Sequence, residues 1–352
     1  MWRNRFSPNQ RTRAFTVMRT LLLSLALAVI PGVPPAASPG SIRAAFNDVP
    51  AVEMLNFLTA VERARQRGLD ITVDDPRSEP IAMQAVLLGQ ADIGMGTPYA
   101  AIQKSAPTIR LIYQLNVLRF FPVVNTDSFD SWQDLDGADV YVHGHGSGTE
   151  AIMNQMTTQH GIMYRRLHYL PGSGVRARAM LRGQINASIV DLLRRNLLRD
   201  QGQNRFKFLP TPENHASDEA LYANERFLQE NRAAVGVSLE ELLKVWLQVN
   251  TNPEYFVESW KRHGSLRSNL GPDLEDDIRR YYSEMVKDGV FPNDGGGRKA
   301  AEADLAFYHF AGTLKRDFDQ LKVEDYWDLE PLHEALSAVR QQQQETAGAQ
   351  HE

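Results

Sequence analysis

The sequence predicts an α/β protein of two similar lobes, each a mostly parallel sheet flanked by helices, followed by a helical C-terminal region. Three observations carry this. The first is an internal repeat: residues 85–97 read AVLLGQADIGMGT and residues 179–191 read AMLRGQINASIVD. Each copy is an apolar helical stretch, a Gly-Gln pair, and a short strand with Asp92 or Asn186 at the same offset. Gly89 and Gly183 stand where a helix needs a left-handed C-terminal residue, a conformation without a Cβ penalty only for glycine. The second is alternation of strand-like and helix-like segments, which marks parallel sheets covered by helices. The third is a break at residues 125–128 (Asn-Thr-Asp-Ser), after which the alternation restarts. Two equivalent units about a hundred residues apart suggest a ligand held between two lobes.

The order begins with a strand at 42–46, a turn at Asn47-Asp48 and a helix at 51–67 that Gly68 stops. Pro50 lies just before that helix, where the first turn tolerates proline. A strand at 69–73 follows, then a helix opened by Pro80, a strand at 91–95, a helix from Thr97-Pro98 and strands at 109–114 and 120–124. In the second unit a short helix at 132–139 precedes a strand at 140–143, a helix at 147–160, a strand at 167–170, a helix at 175–182 and a strand at 185–190. Pro210-Thr211-Pro212 marks its boundary, and 220–223 is one more strand. Helices are expected at 227–230, 239–249, 253–263, 273–287 and 299–314, with a flexible loop at 294–297. Residues 341–352 are polar and poor in apolar side chains, the composition of a disordered tail.

The first forty residues differ in kind. Five arginines (Arg3, Arg5, Arg11, Arg13, Arg19) with no acid precede an apolar run at 21–30 and a tail of proline, glycine and small residues. That is the pattern of a secretory signal peptide, with cleavage after Gly40 expected. The run is shorter than the roughly 20 residues needed to span a bilayer. Loss of those arginines takes the formal net charge from −5 to −10. An acidic exported chain with no basic run is not expected to bind nucleic acid. With no cysteine in 352 residues, disulfides, thiolate metal sites and a cysteine nucleophile are excluded.

The chemistry-bearing residues cluster at strand ends. Residues 143–151 read HGHGSGTEA at a strand-to-helix junction. Gly146, Gly148 and Ala151 fit G-x-G-x-x-A, but that fingerprint needs an acid at the end of the next strand, and 167–171 read LHYLP. No dinucleotide or other cofactor is therefore expected. Ser147 and Glu150 also form a capping box. A helix start offers free amides and a positive dipole end, so Ser147, Gly148 and Thr149 can hold a small anionic or polar group, with Glu150 competing for the same donors. His143 and His145 alternate on one strand face, but no third ligand is near, so no metal is expected. Neither Gly-x-Ser-x-Gly nor a Walker loop occurs. Ligands of doubly wound sheets lie beyond the carboxyl ends of the strands. The ligand-binding candidates are Asn47, Asp48, Gly96, Thr97, Asn116, Ser147, Gly148, Thr149 and Asp191, with Tyr99, Arg119 and Phe120 near enough to add stacking or charge. They include no matched acid, base and nucleophile, so the set reads as a binding site without catalysis.

On these residues the chain resembles the periplasmic solute-binding proteins of ABC importers, in the branch that captures sulfonates, nitrate, taurine and thiamine pyrimidines. The resemblance spans residues 42–263. It rests on the repeated Gly-Gln units, on Asp134-Leu135-Asp136-Gly137, on Gly146-Ser147-Gly148-Thr149, and on the run 223–228 (ANERFL) followed by Glu230-Asn231. It implies a type II binding-protein fold with two crossover strands as hinge, closing on a small-molecule ligand, and a membrane permease as partner. It further implies lobe 1 at 41–124 and 213–340, lobe 2 at 125–212, a periplasmic or extracellular location and a monomer. The turn at 47–50 lacks a glycine-rich or aromatic signature, and no basic cluster marks a sulfonate or nitrate pocket. The receptors of TRAP transporters share a similar Gly-Ser-Gly-Thr junction. A pyrimidine-precursor synthase on the same fold relies on a cysteine-rich motif, which this chain lacks.

Overall fold

The computed structural model describes residues 40–46, 52–74, 79–98, 101–102, 108–262 and 274–349. The expected signal segment and the turn carrying Asn47 and Asp48 lie outside them, as does Tyr99. Two five-stranded sheets form the frame. The first contains β1 (Ser41–Ala45), β2 (Asp70–Asp74), β3 (Ile93–Gly96), β4 (Ile109–Val117) and β10 (Ser217–Asn224) in the order β2-β1-β3-β10-β4. The second contains β5 (Phe120–Asn125), β6 (Asp139–Val142), β7 (Arg166–Tyr169), β8 (Ala187–Asp191) and β9 (Phe206–Phe208) in the order β7-β6-β8-β5-β9. The two orders are equivalent strand for strand. In each sheet the fourth strand runs antiparallel to its neighbours and arrives from the other sheet. This is the two-lobed type II arrangement.

The repeat in the sequence is a repeat in space. Gly89 and Gly183 have φ of +69° and +68°, ending α2 (Glu79–Leu87) and α4 (Ser173–Leu181) in the left-handed region. Asp92 then accepts the Arg43 amide at 2.8 Å, and the Asn186 carbonyl accepts the Asn125 amide at 2.8 Å, so each copy ties its strand to a neighbour. Gly94 answers to a chain segment. A Cβ there would lie 2.2 Å from the Tyr222 ring of β10, so only glycine lets that aromatic lie flat against β3.

Helices cover both faces. On one face of the first sheet, α1 (Leu55–Gln66), α7 (Arg232–Thr251), α9 (Glu275–Lys287) and α11 (Glu330–Ala349) enclose a core centred on Trp246, whose indole donates to the Leu115 carbonyl at 2.7 Å. On the other, α2 and α10 (Gly297–Phe310) share one continuous apolar cluster with α3 (Gly148–His160) of the second lobe. A third cluster lies under α4 and α5 (Leu192–Gln201). Further helices are α6 (Glu225–Glu230) and α8 (Tyr255–Arg262). No helix of the described residues is long and apolar enough to cross a membrane.

Four expectations change. Residues 120–124, placed in the first lobe from sequence, pair with β8 and β9 in the second sheet, so the chain crosses at Leu118–Arg119. The segment 192–208, for which no element was expected, contains α5 and β9. The arginines of α5 mask its Leu192-Leu193 and Leu197-Leu198 pairs. The loop at 294–297 is packed rather than loose: Gly295 and Gly296, at φ +67° and +83°, are buried against Tyr113 and Gln114, and the Gly295 carbonyl accepts the Gln114 amide at 2.9 Å. Residues 341–349 continue α11 instead of fraying into a disordered tail. The buried Pro331, Leu332, Ala335 and Val339 anchor that helix, and glutamine, glutamate and alanine extend it at little cost once it is nucleated.

Candidate functional site

Two crossing segments join the sheets, and the geometry of the site follows from where they cross. β4 ends at Val117 and β5 begins at Phe120, which pairs with Asp191 at the carboxyl end of β8. On the return, β10 starts at Ser217 opposite Val117, and Ala220 pairs with Gly96 at the carboxyl end of β3. The carboxyl ends of both sheets therefore meet at the crossing. The two segments are bonded to each other: the Leu118 amide donates to the Ala216 carbonyl at 2.8 Å. The Arg119 guanidinium donates to the carbonyls of Leu118 at 3.2 Å, Asn214 at 2.5 Å and Asp288 at 3.4 Å. Arg119 is thus a tie between the crossings.

Along the first-lobe edge, Gly96 and Asn116 flank β10, opposite Ala220 and Glu219, and Thr97 follows Gly96. The Asn116 side-chain amide donates to Glu219 at 3.3 Å, and its Oδ1 is buried without a partner among the described residues. Glu219 escaped the sequence reading because a lone acid at a strand start carries no motif. The Tyr281 phenol beside this edge is held well above its ordinary pKa, first by burial, then by Tyr282 and the carboxylates of Glu53, Glu219 and Asp218.

On the second-lobe edge, most candidate side chains are engaged in holding the edge itself. Ser147 is the N-cap of α3, with Oγ accepting the Glu150 amide at 3.3 Å and donating to the Gly144 carbonyl at 2.7 Å. Thr149 is 2% exposed, and its hydroxyl accepts the His143 amide at 3.0 Å and lies 2.8 Å from Ser147 Oγ. The buried Glu150 carboxylate accepts the Gly146 amide and the Tyr169 hydroxyl, each at 2.5 Å. The donors left for a ligand at this helix start are the amides of Gly148 and Thr149, which have no partner among the described residues. Gly148 is pressed onto the crossing: a Cβ would come within 2.8 Å of Leu118. Asp191 caps α5 by accepting the Arg194 amide at 2.8 Å, while its own amide donates to Ser173 Oγ at 2.8 Å.

Behind this edge lies Arg176, 1% exposed, which the sequence reading missed. It donates to the Leu170 carbonyl at 2.9 Å and the Ile189 carbonyl at 3.0 Å, stitching the segment after β7 to β8. Burial lowers its pKa to about 10, opposed by Asp191, so it stays a cation at neutral pH. Its signal was positional: Arg176 shares the inward face of α4 with Ala177 and Met180. His143 Nδ1 accepts the Gly172 amide at 3.2 Å, while His145 Nδ1 stands 3.3 Å from Glu150. Among the described residues no three potential ligands gather around a metal position.

These contacts alter the expected effect of substitutions at the junction. Ser147→Ala should cost about 1 kcal/mol of stability, the usual worth of an N-cap. Thr149→Val should also destabilise by about 1 kcal/mol, because the His143 amide loses the Thr149 hydroxyl as acceptor. Urea denaturation of both variants checks this, and a Thr149→Val protein as stable as wild type would show that the hydroxyl does not hold the His143 amide.

The NMT1/THI5-like family model matches residues 56–255. Among curated proteins, no sequence matches significantly. Several solved structures are similar in fold. A protein of Bordetella bronchiseptica is 17% identical with a TM-score of 0.65, over 85% of this chain and 97% of that one. The periplasmic aliphatic sulphonate-binding protein SsuA of Escherichia coli is 13% identical with a TM-score of 0.59, over 83% and 93%. The periplasmic nitrate-binding protein NrtA of Synechocystis is 12% identical with a TM-score of 0.59, over 85% and 89%.

Proposed function

The chain belongs to the NMT1/THI5-like family, and from that premise we propose that it is an extracytoplasmic receptor that captures a small polar or anionic organic solute between its lobes and delivers it to an ABC importer. The observation that carries this reading is the pair of crossing segments at which the carboxyl ends of both sheets converge. A ligand touching both edges is favoured by closure, so binding and lobe angle are coupled. Gly96, Thr97 and Asn116 would meet it from the first lobe. The amides of Gly148 and Thr149 would meet it from the second, with the Arg176 cation behind adding positive potential. Ser147 and Asp191 act there by holding the helix starts. Asn47 and Asp48, which follow β1 in the sequence, are proposed as further ligand residues. The fold neighbours named for sulfonate and nitrate binding support a solute of that size, and the basic, apolar N-terminal segment supports export.

The test is a calorimetric and thermal-shift panel on the chain from Ser41 onward, using alkanesulfonates, taurine, nitrate and aminopyrimidines. A ligand at a hundredfold its Kd should stabilise the protein by about 2.7 kcal/mol, and small-angle scattering should show compaction. Turnover of the bound compound, or an unchanged radius at saturation, would sink the reading.

A further inference from the structure

A second crevice, of about 460 Å³, flanks the crossing segments. It is distinct from the strand-end edges: α3 contributes Ile152 and Met156, one to two turns past its N-terminus, and α10 contributes Phe307 and Phe310. Phe120 and Arg119 line it from the crossing, and the linker at 211–215 closes one side. Its volume is that of a small-molecule pocket, for which roughly 300–1,000 Å³ is typical. Phe310 is 58% exposed and stacks on Phe318, an aromatic surface that water solvates poorly.

Arg119 gives the crevice a chemical preference. Its guanidinium is bonded only to neutral carbonyls, through Nε and Nη1. Nη2 has no partner among the described residues, and no carboxylate there forms an ion pair with the group. Glu213, which also lines the crevice, and Asp288 act on Arg119 through space, while Glu213 stands 3.3 Å from His215 and Asp288 is 3.5 Å from Arg195. Burial lowers the Arg119 pKa, and the charges of Glu213 and Asp288 oppose that shift only in part. An oxyanion can supply what the carbonyls do not, since charge-assisted hydrogen bonds are about twice as strong as neutral ones.

We propose that this crevice is a second ligand site, for a small organic carboxylate with an apolar body, the carboxylate on Arg119 Nη2 and the body between Phe120, Ile152 and Phe310. The occupant touches a helix from each lobe and the crossing between them. Its binding is therefore linked to lobe angle, and reciprocally to whatever the strand-end cleft holds.

Octanoate and its neutral analogue octanamide are the probes, titrated calorimetrically into the wild-type chain and into Ala306→Trp and Arg119→Gln. Ala306 lies beside Phe307 on the crevice wall and is not otherwise engaged, so the indole fills the crevice without removing a hydrogen bond. Octanoate should bind wild type with a Kd on the order of 0.1–1 mM, as its ten or so heavy atoms allow. Octanamide should bind at least about tenfold more weakly. Ala306→Trp should abolish binding while far-UV circular dichroism stays that of wild type, and Arg119→Gln should bring octanoate down to octanamide. Absence of octanoate binding at millimolar concentration, equal affinity for the two probes, or undiminished binding by a folded Ala306→Trp would each overturn the proposal.

Discussion

Replacing Asp304 with asparagine is expected to flatten the dependence of stability on pH and to raise stability above pH 7. Asp304 sits on α10 with 0% exposure, and its carboxyl accepts the Ser217 amide at 2.6 Å and bonds the Ser217 hydroxyl at 3.0 Å. Burial raises its pKa from 3.8 to about 7, partly offset by those two bonds. Between about pH 4 and 7 the folded protein therefore holds a proton that the unfolded chain has released. Stability from this group falls as pH rises through that window and is level above it. At 1.36 kcal/mol per pKa unit the full span is of the order of 4 kcal/mol. Asparagine preserves the contacts, its carbonyl accepting the Ser217 amide and its NH2 donating to the hydroxyl. Urea denaturation of both proteins from pH 5 to 9 decides the matter, and parallel curves would show that Asp304 does not titrate in the fold. The effect bears on the crossing, because Ser217 opens β10 and its hydroxyl also receives the Gln114 side chain at 3.1 Å.

Arg176→Leu should cost about 3 kcal/mol, within a range of roughly 2–5. The leucine fits an apolar site, so the loss comes from the carbonyls of Leu170 and Ile189, which are left without their donor at about 1–3 kcal/mol each. Lysine should recover only part of this. A single ammonium on a flexible stem does not reproduce the planar fork that spans both carbonyls. Chemical denaturation of the two variants checks the order, and a loss below 1 kcal/mol for leucine would mean that other donors reach those carbonyls. Because Arg176 lies behind the second-lobe edge, an anionic solute in the cleft should also bind Arg176→Leu more weakly, as calorimetry would read.

The repeat in the sequence located Gly89 and Gly183, and with them the two equivalent lobes, because a left-handed helix end and a strand of small residues are local requirements. The proposed ligand edge was legible to the extent that strand ends are: Gly96, Thr97, Asn116 and the 147–149 junction do stand at carboxyl ends. Of what those residues do there, only the Ser147 cap was legible, and it is present. Asp191 turned out to be a helix cap and Thr149 a buried acceptor, because a side chain's partner depends on how a loop folds back. Three charged side chains whose surroundings the sequence does not show have the same origin. Arg176, Arg119 and Asp304 gain their character from burial and from carbonyls, amides and a hydroxyl brought to them by other segments, in the case of Asp304 from 87 residues away. Local periodicity and turn chemistry are enough to write out most helices and strands and their alternation in this chain, with α5, β9 and the end of α11 as the exceptions. The crossing at Leu118–Arg119, the transfer of β5 to the second sheet and the solvation of each charge were decided by tertiary packing, since desolvation and long-range pairing exist only once distant segments meet.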